Sequence, residues 1–137
     1  MQHKSLRKIL IVDDDDDVRT IASMALELTG GFIVENASSG RDAIAKSISF
    51  HPDIILLDFV MPGMDGPETL RSFQSDSKLS HIPVVFMTGK VEQEDVARCL
   101  SLGACSVISK PFEAMLLAGQ LQDIWKANLS RLACRIE

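Results

Sequence analysis

Five short apolar runs punctuate the chain: KILIV (8–12), FIVEN (32–36), DIILLD (53–58), PVVFMT (83–88) and CSVIS (105–109). Several are apolar at consecutive rather than alternate positions, the pattern of strands covered on both faces. The stretches between them carry helical spacing. Val18, Ile21, Ala22, Ala25 and Leu28 predict a first helix, which Gly30-Gly31 stops. Ser38 or Ser39 caps a second that carries Ala43, Ile44 and Ile48 and ends at His51-Pro52. Residues 67–75 form a third, with Pro67 where a missing N–H costs little. Glu92 to Leu102 gives a fourth, with Val96, Ala97 and Leu100 as a thin apolar face and Gly103 as its stop. Phe112 to about Leu129 gives a fifth, with Leu117, Leu121, Ile124 and Trp125 on one face. Repeated β-α units whose strands are buried on both sides predict a three-layer α/β/α fold: a doubly wound, five-stranded parallel sheet wrapped by five helices.

In such a sheet the binding crevice lies outside the carboxyl ends of the strands. Reading off those ends gives Asp13-Asp14 after the first strand, Asp58 after the third, Thr88 after the fourth and Lys110 after the fifth. Converging carboxylates repel one another, and at least one is pushed toward protonation unless a cation joins them. Oxygen ligands without His or Cys suit a hard ion, and Mg²⁺ is the one expected. Mg²⁺ in turn points to phosphoryl chemistry. In that chemistry Asp58 is the attacking carboxylate, forming an acyl phosphate. Lys110 neutralises the transferred group and the Thr88 hydroxyl bonds one of its oxygens.

Asp13 and Asp14 open a run of five aspartates, LIVDDDDDV. Asp15, Asp16 and Asp17 fall where the chain turns into the first helix, and acidic groups there complement its unpaired N–H groups. Asp16 or Asp17 is the expected N-cap; the alternative is that Asp15 or Asp16 tunes metal affinity from behind the ligands. An EF-hand loop is excluded, because its sixth position is Val18 rather than glycine and its twelfth is Met24 rather than glutamate. No phosphate-binding G-x-x-x-x-G-K-[ST] loop occurs.

A net charge of −5 argues against direct nucleic-acid binding, which needs clustered Lys and Arg. No apolar run approaches the roughly 18–20 residues of a membrane span. The polar, basic start MQHKSLRK is unlike a signal peptide, so no membrane insertion and a cytoplasmic location are expected. Cys99, Cys105 and Cys134 have neither the number nor the spacing of a disulfide framework or a zinc site and are read as reduced thiols. His3, His51 and His81 are scattered surface or loop histidines.

The segments ILIVDD (9–14), DIILLDFVMPGMDG (53–66), VVFMTG (84–89) and SKPF (109–112) together resemble the receiver domain of two-component response regulators, in its stand-alone chemotaxis-type form. The resemblance implies a flavodoxin-like fold with Mg²⁺ held by Asp13, Asp14, Asp58 and the Val60 backbone carbonyl. It implies phosphorylation of Asp58 by a sensor histidine kinase or histidine phosphotransfer protein, Thr88 as the switch hydroxyl and Lys110 as the phosphate contact. A downstream target protein follows; dimerisation stays open, receivers often using the fourth helix, fifth strand and fifth helix for it. Family likeness also favours a cis bond before Pro111. The domain is expected to fill residues 1–137, with a core at about 6–127 and an extension at about 128–137. NLSRLACRIE is too short for a DNA-binding output unit. The protein is then either a switch that acts by docking alone or part of a longer regulator.

The chain departs from that family at Val107 and Gly89. Val107 stands where an aromatic side chain usually lies, three residues before the lysine, so the signal is expected to leave through the Thr88–Lys90 loop and the helix after it. Gly89 follows Thr88 where alanine is usual. Val60 and Lys90 flank the route of a hydrolytic water, and Val60 offers it no polar group, so self-dephosphorylation is expected to be slow. The chain is also similar to phosphatases of the haloacid dehalogenase type, with Asp13 as nucleophile and Asp15 as general acid. That alternative lacks the acidic pair after the lysine, since only Glu113 and Asp123 follow, and it leaves Asp58 and MPGMDG without a role.

Overall fold

The computed structural model describes residues 4–89 and 92–136, with side chains as far as residue 130. Strands and helices alternate as β1 (Lys8–Val12), α1 (Asp16–Gly30), β2 (Ile33–Ala37), α2 (Gly40–Phe50), β3 (Ile54–Asp58), α3 (Gly66–Ser75), β4 (Val84–Thr88), α4 (Gln93–Ser101), β5 (Ser106–Ser109) and α5 (Ala114–Ile136). Every pairing is parallel, and the order across the sheet is β2-β1-β3-β4-β5. The chain winds from β1 out to β2 and then crosses back to β3. The loops after β1 and β3 therefore leave the sheet on opposite sides, and the crevice opens between them.

Successive strand residues face opposite ways, so the sheet carries two cores. Ile9, Ile11, Ile54, Leu56, Val85 and Met87 pack against Ala22 and Leu26 of α1 and Leu117, Leu121 and Trp125 of α5. Leu10, Val12, Ile55, Leu57, Val84 and Phe86 pack against Ala43 of α2, Leu70 and Phe73 of α3 and Cys99 of α4. Each fully buried Val, Leu, Ile, Phe or Met among these stabilises the fold by about 1.5–3 kcal/mol. The expected strands all form, though β2, at the sheet edge, begins one residue later than FIVEN and is only half-buried over most of its length.

The helix starts follow local chemistry. Ser39 accepts from the Asp42 N–H at 3.1 Å and caps α2, and Asp65 accepts from the Glu68 N–H at 2.9 Å and caps α3, with Pro67 in its first turn. The cap of α1 is Asp15, not Asp16 or Asp17: its carboxylate accepts from the N–H groups of Asp17 and Val18. The helix thus starts one residue early, because Asp15 is the last residue with extended backbone (ψ 117°). Gly31 closes α1 at φ 67°, a conformation costly for any side chain.

Three helix faces differ from expectation. In α1 the buried residues are Ala22, Ser23 and Leu26, whereas Ile21, Met24 and Leu28 are exposed. Two overlapping stripes satisfy helical spacing here. The winning stripe includes a polar residue because the Ser23 hydroxyl donates to Asn36 Oδ1 at 2.7 Å. In α2, Ala43 is buried but Ile48 is exposed, and in α4 the buried residue is Cys99 rather than Ala97 or Leu100. Helix α5 runs on past Leu129 to Ile136, and Cys134 and Leu132 lie beyond the described side chains.

The chain's first described segment is tied down at two points. Asp53, almost fully buried, accepts from the N–H groups of Arg7 and Lys8 at 3.0 and 2.9 Å and pairs with Lys4 at 2.7 Å. Burial alone would raise its pKa, but the Lys4 ammonium and these two N–H groups outweigh it and hold the carboxyl below the ordinary range. Trp125 of α5 donates its indole N–H to the Lys4 carbonyl at 2.9 Å.

Candidate functional site

Register brings the polar strand ends together. Val12 lies beside Leu57, Asp58 beside Met87 and Thr88 beside Ser109. The ladder continues one step beyond the strands: Phe59 N–H donates to Met87 O and Lys110 N–H to Thr88 O, both at 2.9 Å. The backbone carrying Asp58 and Lys110 is thus fixed at its root. Parallel strands 4.7–4.9 Å apart then place the side chains leaving β1, β3 and β5 over one spot.

At that spot Asp13 is fully buried, Asp58 is 4% exposed and Asp14 faces solvent. One carboxylate oxygen from each of the three lies within 4.8 Å of the others, a grouping able to hold a cation. Lys110 Nζ donates to Asp13 Oδ2 at 2.8 Å and to Asp58 Oδ2 at 3.3 Å. Asp13 Oδ1 accepts from the Asp15 N–H at 2.9 Å, and Asp58 Oδ1 from the Val60 N–H at 3.4 Å. Thr88 ends β4, buried, beside them. Every side chain named from the sequence as a site residue therefore lies at one sheet edge, and Val60 projects its side chain outward, 73% exposed.

The electrostatics work against the Asp58 charge and in favour of the Lys110 charge. Burial, reinforced by the nearby Asp13 charge, pushes the Asp58 carboxyl above its ordinary pKa, and Lys110 only partly compensates. Burial also works against the Lys110 charge. Its hydrogen bond to Asp13 and the charges of Asp58 and Asp13 outweigh that effect, so its pKa lies above the usual lysine value. Asp58 is thus a carboxylate held at a cost, beside a lysine held firmly cationic. An added cation or a transferred phosphoryl group changes both balances.

The loop after β3 is built for close approach. Gly66 donates its N–H to Phe59 O at 3.1 Å, and a Cβ there would stand 2.7 Å from Asp58 O and 2.8 Å from Phe59 Cα. The start of α3 thus rests directly on the backbone of Asp58. Gly63 takes φ 73° at the tip of MPGMDG. The bond between Lys110 and Pro111 is cis, as family likeness favoured.

Val107 is half-buried against the core on the α4 side of the sheet. Aromatic packing near the site comes instead from Phe59, edge-on to Phe86 at 5.1 Å, with the Arg98 guanidinium of α4 over the Phe59 ring at 5.8 Å. A cavity of about 340 Å³ opens beside them, lined by Phe59, Val60, Thr88, Gly89, Asp95, Arg98 and Cys99. Burial and the Asp95 charge raise the Cys99 pKa, so this thiol stays protonated. Lys90, expected to flank the water route, lies outside the described residues.

One residue at the site escaped sequence reasoning. Arg19, on the first turns of α1, donates from Nη1 to the Asp13 carbonyl at 2.6 Å and from Nη2 to the Asp16 carboxylate. The available signal was its position, six residues after Asp13, which folds a long basic side chain back over the strand end. The phosphatase alternative gains no support from the geometry: Asp15, its general acid, serves as the cap of α1, one carboxylate oxygen accepting from the Asp17 and Val18 N–H groups.

Comparison with known proteins agrees with this geometry. The family model described as response regulator receiver domain matches residues 9–122. Among curated proteins, the chain is 38% identical over 109 residues to the regulatory protein AtoC of Escherichia coli, covering 80% of this chain and 23% of that protein. It is 35% identical over 118 residues to the phosphate regulon transcriptional regulatory protein PhoB of Pseudomonas aeruginosa, covering 86% and 51%. The chain thus spans about half the length of these relatives, or less. Among solved structures, the chemotaxis response regulator CheY4 of Vibrio cholerae superposes with a TM-score of 0.80 at 31% identity, over 88% of this chain and 99% of that one. Sheet order, polar strand ends and sequence all converge, and the chain belongs to the response regulator receiver domain family.

Proposed function

We propose that this receiver is a Mg²⁺-dependent phosphoacceptor in a two-component phosphorelay, with Asp58 taking a phosphoryl group from a phosphohistidine donor. The observation that carries the reading is the arrangement around Lys110. Its ammonium bridges Asp13 and Asp58 while the Asp14 carboxylate lies within reach of both. An all-oxygen donor set fits a hard divalent ion such as Mg²⁺. Asp13, Asp14, Asp58 and the Val60 carbonyl would hold it, and when bound it supplies charge neutralisation for the incoming phosphoryl oxygens. Asp58 provides the nucleophilic oxygen, Lys110 pairs with the added negative charge, and the Thr88 hydroxyl donates to a phosphoryl oxygen.

Phosphorylation then biases an existing equilibrium between two surface arrangements. With Val107 in place of an aromatic, the route outward runs from Thr88 to α4, where the adjoining cavity leaves α4 room to shift. The partners are a sensor histidine kinase or histidine phosphotransfer protein on the input side and a target protein on the output side. The net charge of −5 favours a protein target over nucleic acid. A homodimer through α4, β5 and α5 is a further proposal of the same kind. The setting is cytoplasmic, and among the described residues no helix is long and apolar enough to cross a membrane.

Intact-mass measurement with acetyl phosphate and Mg²⁺, on wild type and Asp58→Asn, tests the reading. A phosphoryl adduct confined to the wild type supports it. Equal labelling of both proteins moves the acceptor elsewhere, and rapid turnover of unrelated phosphoesters would place the chain with the phosphatases.

A further inference from the structure

The run Asp13–Asp17 concentrates negative charge at the end of β1, and among the described residues two cations bond to it directly. Lys110 holds the Asp13 carboxylate from the far side of the crevice. Arg19 holds the Asp13 backbone carbonyl at 2.6 Å and the Asp16 carboxylate, with its side chain only 16% exposed although it lies on a surface helix. The Asp13 N–H donates to Ala37 O of β2 at 3.1 Å. Both peptide groups around Asp13 are therefore held, one by the sheet and one by the guanidinium. Because a peptide unit is planar, fixing the Asp13 carbonyl fixes the direction in which Asp14 leaves.

We infer that Arg19 is a positioning residue for the cation site: its fork locks the Asp13–Asp14 peptide so that both carboxylates stay aimed at the point they share with Asp58. The inference rests on the Mg²⁺ reading given above. It opposes what charge alone dictates. A guanidinium a few ångströms from the site repels a divalent cation, so if Arg19 acted only as a charge, its removal would tighten Mg²⁺ binding. If it acts by orientation, removal loosens binding. A planar fork is also something a lysine does not reproduce, although lysine keeps the charge.

The test is a calorimetric Mg²⁺ titration of wild type, Arg19→Met and Arg19→Lys, with thermal melting in the absence of Mg²⁺ to report fold integrity. The expected result is Mg²⁺ binding about tenfold weaker in Arg19→Met, in the range for loss of a group that orients ligands, with Arg19→Lys between it and wild type. Labelling by acetyl phosphate should fall in parallel at low Mg²⁺ and return to the wild-type rate at saturating Mg²⁺, a rescue that a lesion of the fold would not show. Equal or tighter binding in a folded Arg19→Met protein overturns the inference and leaves the phosphoacceptor reading standing. Should Arg19→Met fail to fold, unchanged binding in Arg19→Lys overturns the inference equally. A wild type that binds no Mg²⁺ removes the metal reading, and this inference with it.

Discussion

Lys110 sits closer to Asp13 than to Asp58, 2.8 Å against 3.3 Å, so the lysine leans on the carboxylate that is completely buried. Replacing it by methionine strands Asp13 without a counter-charge. Lys110→Met should lower stability by on the order of 2 kcal/mol, the scale of a hydrogen bond to a charged group. Added Mg²⁺ should raise the melting temperature of the variant more than that of the wild type. Melting curves with and without Mg²⁺ measure both effects, and a variant as stable as wild type would refute the first.

Asp58 carries the opposite sign. Its folded pKa is raised by burial and by Asp13, so ionisation at neutral pH costs stability. That cost is absent below the unfolded carboxyl pKa of about 3.9 and complete above the folded value. Asp58→Asn should therefore melt higher than wild type at neutral pH without Mg²⁺, and the gap should close on acidification. The same variant should lose most of the wild type's stabilisation by Mg²⁺. A melting series across pH decides it.

Asp53 supplies the contrasting case. Its folded pKa is depressed by Lys4 and by the Lys8 and Arg7 N–H groups, against the opposing effect of burial. The stability it contributes is present above about pH 4 and is lost as the pH falls through its folded value. Asp53→Asn should be less stable than wild type at neutral pH, with a difference that shrinks in acid, the reverse of the Asp58→Asn trend along the same pH axis.

Gly66 couples α3 to the backbone of Asp58. A methyl group there meets the Asp58 and Phe59 backbone at 2.7–2.8 Å. Something in the β3–α3 loop must then shift. Gly66→Ala should destabilise by about 1–3 kcal/mol, the usual cost of overpacking. It should also slow labelling by acetyl phosphate, because the Asp58 carbonyl moves. Amide shifts at Asp58 and Phe59 in a two-dimensional spectrum would trace the cause, and their absence would count against it.

Val60 has an exposed apolar side chain two residues after Asp58, the proposed acceptor. It cannot orient a water for attack on an acyl phosphate, so the phosphoryl group should persist for minutes or longer without an added phosphatase. Val60→Gln, which offers a donor and an acceptor, should shorten that lifetime. Decay within seconds in the wild type would remove the argument.

The sequence was most legible where one physical rule decides the outcome. Consecutive apolar runs marked the strands, and the carboxyl-end rule put Asp13, Asp14, Asp58, Thr88 and Lys110 at one end of the sheet, where the structure also places them. Legibility failed where two solutions satisfy the same rule. Helix α1 has two overlapping stripes at helical spacing, and the buried one contains a polar residue, Ser23, whose bond to Asn36 an apolar pattern does not reveal. Asp15, Asp16 and Asp17 are equivalent as capping residues until the backbone shows which one is extended. Arg19 was missed because the partner that ties it to the site is the Asp13 backbone carbonyl, and side-chain spacing registers only its other partner, the Asp16 carboxylate three residues earlier.

Strand β3 has neighbours on both edges and is buried along its whole length. In hydrogen–deuterium terms, its amides should be among the last in the molecule to trade protons with solvent, opening only when everything opens. The proposed acceptor, Asp58, therefore rides on one of the most inert planks of the fold, and any message that leaves it has to be carried by the looser chain around it.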